Sequence, residues 1–464
     1  MRALLVVYDN GSYTHNFPQG LGYVAAIMEQ EGCEVVVWNQ DMHHYPDEEL
    51  TRYLDRSEPF DMVGVSVIAG YYQYRRLLSL SQAINRAKRR PKWYVIGGYG
   101  PTPDPDYFLK KTEADIVVLG EGETTLVELI EVMRGRREIG NVEGIAYRDG
   151  DRTVVRERRP LIADIDSIPL PAYHLFPINY YRLHRPRATS KSDFTMPMMS
   201  GRGCTFKCTF CYRMDTGFRP RGVDSIMEEV GLLHRNFGIT RISFFDDLLM
   251  SSVARTEEVC RAFLKSGLKV KWDCNGRLNY AKPDLLKLMK ESGCVYINYG
   301  IEAMDDEVLR KMKKGLRIKQ VVEGIEATIA ADMIPGLNII FGNLGDNRET
   351  LQKGVDFLIK YGDADELRTI RPVTPYPGSP LYDYAIQNGS LTGTADFYEN
   401  KHLNSDLLCV NFTELSDDEF YEALKKANMA LVNDYYDKIR TKALAGVQRL
   451  YDQRDASFRG FREK

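Results

Sequence analysis

No stretch of this chain approaches the roughly 18 consecutive apolar residues that a membrane-spanning helix needs, so no membrane partner is expected. The opening, MRALLVVYDNG, lacks the charged, apolar and small-residue order of a secretory leader and reads as a strand and a turn. Charge of one sign is also missing. A net charge of −3 over 464 residues argues against nucleic acid as a partner and against an acidic tail. There is no internal repeat beyond an alternation of strand and helix, and no low-complexity tract. Cysteine is sparse. Of eight, five (Cys33, Cys260, Cys274, Cys294 and Cys409) stand singly in apolar surroundings, as buried free thiols do. Free thiols fit a reducing compartment, so a cytoplasmic protein of about two to four domains is expected.

The other three cysteines carry the sharpest signal. Cys204, Cys208 and Cys211 fall at C-x3-C-x2-C spacing in GRGCTFKCTFCYR. Thiolates this close must point at a common centre. Zinc sites usually take four protein ligands in separated pairs, and common ferredoxin spacings supply four cysteines per cluster. Three local cysteines would leave one iron of a 4Fe–4S cluster without a protein ligand, and an open iron can bind a substrate. Incidental cysteines, or a partial zinc site, are the other readings.

The spacing closely resembles that of the radical SAM family. The resemblance implies that Cys204, Cys208 and Cys211 are the catalytic and metal-binding residues, holding a 4Fe–4S cluster whose open iron chelates S-adenosylmethionine. It implies that Phe210 packs near the adenine. It also implies that an electron from the cluster, delivered by a donor such as flavodoxin or ferredoxin, produces a 5′-deoxyadenosyl radical.

Residues 1–140 alternate short apolar runs with amphipathic stretches. The pattern predicts an α/β fold with a Rossmann-like, doubly wound parallel sheet, covered on both faces and binding ligands at the carboxyl ends of its strands. Glycine-rich turns fall at those ends: Asp9-Asn10-Gly11, Ser66 to Gly70, Gly97-Gly98-Tyr99-Gly100-Pro101-Thr102 and Gly120-Glu121-Gly122-Glu123. Alone, such turns are common in these sheets. With the helix PQGLGYVAAIMEQEG they are similar to the N-terminal domain of cobalamin-binding radical SAM enzymes. That implies cobalamin contacts at Gly11, Gly70, Tyr71, Gly98, Gly100, Gly120 and Glu121. The DxHxxG motif is absent, and Gly100 stands where GGxHPT turns carry histidine. Cobalamin is therefore expected without a histidine ligand, its lower face near loop 67–74, where Tyr71, Tyr72 and Tyr74 would pack. The plainer alternative is a vestigial domain.

Residues 141–194 read as a hairpin about Asp149-Gly150 and a proline-rich linker. Residues 195–390 hold about six strand–helix units, which predicts a partial (β/α)6 barrel with its chemistry at the carboxyl strand ends. The family resemblance implies that Asp246 and Asp247 meet the amino group of S-adenosylmethionine, Arg277 its carboxylate and Glu302 its ribose hydroxyls. A helix cap is the alternative for Asp247. FGNLGD (341–346) resembles the family's G-x-PGE turn, with Leu344 in place of proline. RPVTPYPGSPLY (371–382) resembles the segment that closes the barrel in the cobalamin-binding subgroup. Residues 391–464 read as a helical region covering the open side of the barrel and lining the substrate cavity, ending in a frayed basic tail, 454–464.

The expected function is cobalamin-dependent methylation of an unactivated carbon, or of phosphorus, in a small-molecule substrate. Oxidative cyclisation or ring rearrangement without methyl transfer is the alternative enzyme class, and a cofactor-binding sensor without turnover is a third reading. Tyr212, Cys274 and Tyr299 are candidates for returning a hydrogen or proton.

Overall fold

The computed structural model describes residues 1–11, 16–213 and 216–458. Two sheets organise the protein. The first contains β1 (Arg2–Val7), β2 (Glu34–Asn39), β3 (Met62–Ser66), β4 (Trp93–Gly97), β5 (Ile116–Val118), β6 (Ile145–Asp149) and β7 (Arg152–Val155), in the order β2-β1-β3-β4-β5-β6-β7. The first five strands are parallel. Their apolar runs are continuous because both faces are covered. Ala3 and Leu5 pack towards helices Gln19–Gln30 and Glu123–Met133, while Leu4 and Val6 pack towards Asp47–Arg56 and Tyr71–Arg86. Strand order reverses at β1, so a ligand crevice opens at the carboxyl ends of β1 and β3.

The hairpin about Asp149-Gly150 forms, but it does not belong with a linker. β6 pairs antiparallel with β5 and extends the first sheet. The segment that follows is tied down as well. Tyr173, Phe176 and Tyr181 are buried around Phe17, with the rings of Phe17 and Tyr173 4.9 Å apart.

The second sheet contains β8 (Thr195–Met198), then, after the separate antiparallel pair β9 (Gly201–Cys204) and β10 (Gly217–Pro220), β11 (Arg241–Phe244), β12 (Lys271–Gly276), β13 (Cys294–Glu302), β14 (Ile334–Phe341) and β15 (Arg371–Pro372). All six of its strands are parallel and run in chain order, β8-β11-β12-β13-β14-β15, as a curled half-barrel. The α/β class, the doubly wound first sheet and the partial barrel are all present.

The C-terminal region departs from expectation. Residues 391–416 are mostly irregular, with a single π-helical turn at Asp396–Lys401. They turn back to the first sheet, where Tyr398 stacks on Tyr74 at 4.7 Å. Asp417–Tyr451 is one helix of 35 residues, started by a capping box between Ser416 and Glu419. Its buried residues, Phe420, Leu424, Ala427 and Leu431, all lie in its first half and pack against Phe341 and helix Arg348–Tyr361. None of its residues lines the large cavity described below. Beyond Leu431 its apolar side chains, Tyr436, Leu444, Val447 and Tyr451, are exposed. Residues 459–464 of the predicted tail lie outside the described residues.

Candidate active site

The cysteine loop leaves β9 at Cys204 and is pinned on two sides. The Thr209 amide donates to the Met312 carbonyl at 3.0 Å, and the Leu381 amide donates to the Thr209 carbonyl at 2.9 Å. The second bond comes from the PYPGSPLY segment. Gly378 there has φ +91°, and a Cβ would lie 2.3 Å from the Tyr212 ring, so the turn closes over the loop only as glycine.

Cys208 is buried and Cys204 and Cys211 are half-buried. Cys208 accepts a hydrogen bond from Cys211, and with the Lys314 and Arg277 cations nearby this pulls its pKa down to about 6. The same contact and burial push Cys211 up, and burial pushes Cys204 up. Ligation requires thiolates. Among the described residues no three His, Cys, Asp or Glu side chains converge on a single ion. A cubane cluster asks for something else, since each thiolate takes its own iron. Three thiols in one loop beside two cations therefore suit an anionic cluster with one iron left open.

Around this loop the strand ends supply charged groups. β13 is irregular between Gly300 and Glu302, and Glu302 sits at φ +73°, a strained position for a residue with a Cβ. Its carboxylate pairs with Lys314 at 2.9 Å, both nearly buried. The Lys314 ammonium lies 5.7 Å from the centre of the Phe210 ring. The Arg277 guanidinium stacks 3.5 Å over Phe206 and donates to the Lys314 carbonyl. Arg277, Glu302 and Phe210 are thus brought together with the cysteines. Lys314 and Phe206, which the sequence reading passed over, complete the group. Lys314 lies in the LRKMKKG run, where nothing marks one lysine from its neighbours.

The two aspartates separate. Asp246 is buried and accepts from both the amide and the hydroxyl of Ser200, at 2.9 and 2.8 Å, so its carboxylate is not presented to a ligand. Burial raises its pKa to about 6. Asp247 is exposed to the cavity, though the surrounding cleft still raises its pKa by desolvation. Two other expectations also need correcting. Cys274 is buried against Cys294, and Tyr299 is fully buried with its hydroxyl 3.0 Å from Thr328, so neither reaches a substrate. Strand alternation turns both towards the helices.

A cavity of about 420 Å³ lies between the two sheets. Gly64, Ser66, Gly98, Tyr99, Gly120 and Glu121 line it from the first sheet, Phe245, Asp246 and Asp247 from the second, and Arg202 and Gly203 from β9 of the separate antiparallel pair. Its deeper wall is apolar: Leu5, Leu21, Val24, Met62, Val95 and Leu126. Gly98 has φ +96°, and a Cβ there would stand 2.5 Å from the Val67 carbonyl, so the strand end is kept flat and bare. At Gly100 a Cβ would stand 3.2 Å from the Ile68 carbonyl. Tyr99 and Phe245 line the cavity and remain exposed, an apolar rim of the kind a large planar ligand covers. These features suit a corrin ring, with the apolar depth open to the benzimidazole base of its nucleotide tail.

Not every expected contact is there. Gly11, Gly70, Tyr71 and Gly100 do not line the cavity. Gly11 is held by Asp9 and sits under the Tyr72 hydroxyl, which donates to the Asp9 carbonyl. Gly70 caps helix Tyr71–Arg86, and Tyr71 faces the buried His402. Tyr74 is buried against Tyr107 and Tyr398 rather than offered to a cofactor. Glu121 lines the cavity, but its carboxylate is taken up by Arg202, Arg219 and the Ile162 amide.

Residues 8–130 match the B12 binding domain, and residues 198–358 match the Radical SAM superfamily. The chain thus carries a radical SAM domain and a B12-binding domain, which imply a 4Fe–4S cluster, S-adenosylmethionine and cobalamin as its cofactors. It is 27% identical to an uncharacterized methyltransferase of Pyrococcus horikoshii, over 94% of each chain. It is 26% identical to the cytidylyl-2-hydroxyethylphosphonate methyltransferase of Streptomyces wedmorensis, over 82% of this chain and 80% of that one. In fold it resembles the radical S-adenosylmethionine methyltransferase TsrM from Kitasatospora setae, solved with cobalamin and a [4Fe-4S] cluster. The TM-score is 0.72 at 16% identity, covering 93% of this chain and 88% of that one. No helix among the described residues is long and apolar enough to cross a membrane.

Proposed function

We propose that this enzyme methylates an unactivated carbon, or phosphorus, of a small molecule held between the two sheets. The observation that carries the reading is the shared cavity: one wall is the bare strand ends of the first sheet, the other the strand ends beside the cysteine loop. When bound, the cluster and S-adenosylmethionine supply the radical, and cobalamin carries the methyl group.

The protein's own residues hold and orient. Cys204, Cys208 and Cys211 ligate the cluster. Arg277 and the Glu302–Lys314 pair orient S-adenosylmethionine over it through its carboxylate and ribose, with Phe210 beside the adenine. Asp247, open to the cavity, receives the amino group, while Asp246 holds the Ser200 backbone in place. The apolar cavity wall keeps water away from reactive carbon. The electron comes from a small reduced protein such as flavodoxin or ferredoxin, and the compartment is the cytoplasm.

The test is anaerobic purification with a reconstituted cluster and added hydroxocobalamin, followed by product mass. Stoichiometric cobalamin beside one cluster, and a product heavier by one methylene, are expected. An unmethylated, cyclised product would overturn the methylase reading. Cys208→Ala should abolish the cluster and all cleavage of S-adenosylmethionine while cobalamin still binds. Glu302→Ala should weaken S-adenosylmethionine binding more than cluster assembly, measured by equilibrium binding and iron content.

A further inference from the structure

The antiparallel pair β9–β10, whose first strand ends at Cys204, carries two arginines side by side. Arg202 on β9 and Arg219 on β10 are directly paired across the strands. Like charges opposite each other destabilise a hairpin unless something neutralises them. Here the neutralising groups come from the other sheet. Arg219 forks onto Glu121 with two bonds of 2.9 Å, and Arg202 reaches Glu121 at 2.8 Å and Glu123 at 2.6 Å. All four side chains are nearly buried, the most open being Arg219 at 15%. Burial opposes ionisation, yet the bonds from Arg219 and Arg202 hold the Glu121 carboxyl below its usual range. Glu121 also accepts from the Ile162 amide, so neither of its oxygens is idle.

The placement is what gives the knot meaning. Glu121 lies in the turn after β5 and Glu123 opens the helix that follows it, at the end of the first sheet where the glycine-lined wall stands. Arg202 lies two residues before Cys204. A fork on a carboxylate fixes angle as well as distance. An apolar contact of equal area would tie the two sheets together without specifying how they face each other.

We propose that Arg202 and Arg219, gripping Glu121 and Glu123, are positioning residues that set the separation and tilt of the cysteine loop relative to the cobalamin-side wall. The inference rests on the two-cofactor reading above. A methyl group and a substrate radical meet only if the two cofactor sites hold one geometry, and small misplacements at such a junction are costly.

The experiment is paramagnetic resonance on the full-length protein, loaded with the cluster and hydroxocobalamin and reduced so that cluster and cobalt are both paramagnetic. Their magnetic coupling reports the separation. The wild type should give one resolved coupling. In Arg219→Gln, whose side chain is not part of the cavity wall, and in Glu121→Gln, both signals should persist while the resolved coupling is lost. Arg219→Lys keeps the charge without the fork and should recover part of it. Wild-type coupling in Arg219→Gln with both cofactors loaded would overturn the positioning role. A wild type that takes up the cluster but no cobalamin would overturn the two-cofactor reading, and this inference with it. Should Glu121→Gln fail to load cobalamin, Arg219→Gln decides.

Discussion

The first sheet meets the rest of the chain along two seams of opposite character. Beside the cavity the seam is ionic, Glu121 and Glu123 against Arg202 and Arg219. On the opposite face of the sheet it is aromatic, with Tyr74, Tyr107 and Phe108 of the first sheet's helices against Tyr398, and Phe397 and His402 behind it. Apolar burial is strong but does not specify direction. Forked ion pairs add little net stability once desolvation is counted, but they fix geometry. The directional seam lies where cofactors must face each other, and the non-directional seam lies where the chain only has to be held.

The largest break should come on the aromatic side. Phe397→Ala, at a fully buried ring, should lower stability by about 3–5 kcal/mol in thermal or urea unfolding. Glu121→Gln should cost less, about 1–3 kcal/mol, because two arginines lose charge-assisted partners while the amide keeps some bonds. A double-mutant cycle sharpens the contrast. Glu121→Gln with Arg219→Gln should show a coupling of about 0.5–3 kcal/mol, whereas Glu121→Gln with Phe397→Ala should simply add. Additivity failing between the seams would mean they act as one interface.

Smaller effects test how dry the aromatic seam is. Among the described residues both buried ring nitrogens of His402 lack a hydrogen-bond partner, and burial lowers its pKa from the ordinary 6.5 to about 4. The unfolded chain therefore binds the proton more readily, and stability is lost as pH falls from about 6.5 towards 4. His402→Phe should remove that part of the acid sensitivity, seen as a smaller fall in melting temperature between pH 6.5 and 4 than in the wild type. The Asp246 carboxyl runs the other way. Its folded pKa is raised to about 6, so ionising it costs stability as pH rises between 3.8 and 6, and comparing variant with wild type isolates His402. The buried Tyr398 hydroxyl likewise has no hydrogen-bond partner among the described residues. Tyr398→Phe should leave stability unchanged or raise it by about 1 kcal/mol, read as melting temperature.

Much of the site was legible beforehand because it is written in local spacing. Three thiols within eight residues can only belong to one loop, and short β-branched apolar runs between turn signals read as buried strands. Arg277 and Glu302 were legible as strand ends. What was not legible depends on which way a side chain turns at a strand end. Asp246 and Asp247 are neighbours and both line the cavity, yet the first is buried with its carboxylate spent on Ser200 and the second is exposed. Glu121 read as a cofactor contact because its turn does line the cavity, but its carboxylate faces two arginines more than 80 positions away. Tyr74 and Cys274 looked available and are interior, since period-2 and period-3.6 alternation leaves the face undecided until something packs on it.

The sequence by itself determined the strand–helix alternation of both halves, the doubly wound first half, the parallel second half and the three-cysteine loop, because these follow from local periodicity and spacing. Only the tertiary structure decided that β6 and β7 join the first sheet, that residues 391–416 return to it, and that two arginines beside the cysteine loop answer to Glu121. Contacts between segments far apart in the chain are chosen by the global burial of apolar surface and the neutralisation of buried charge, and neither leaves a local mark.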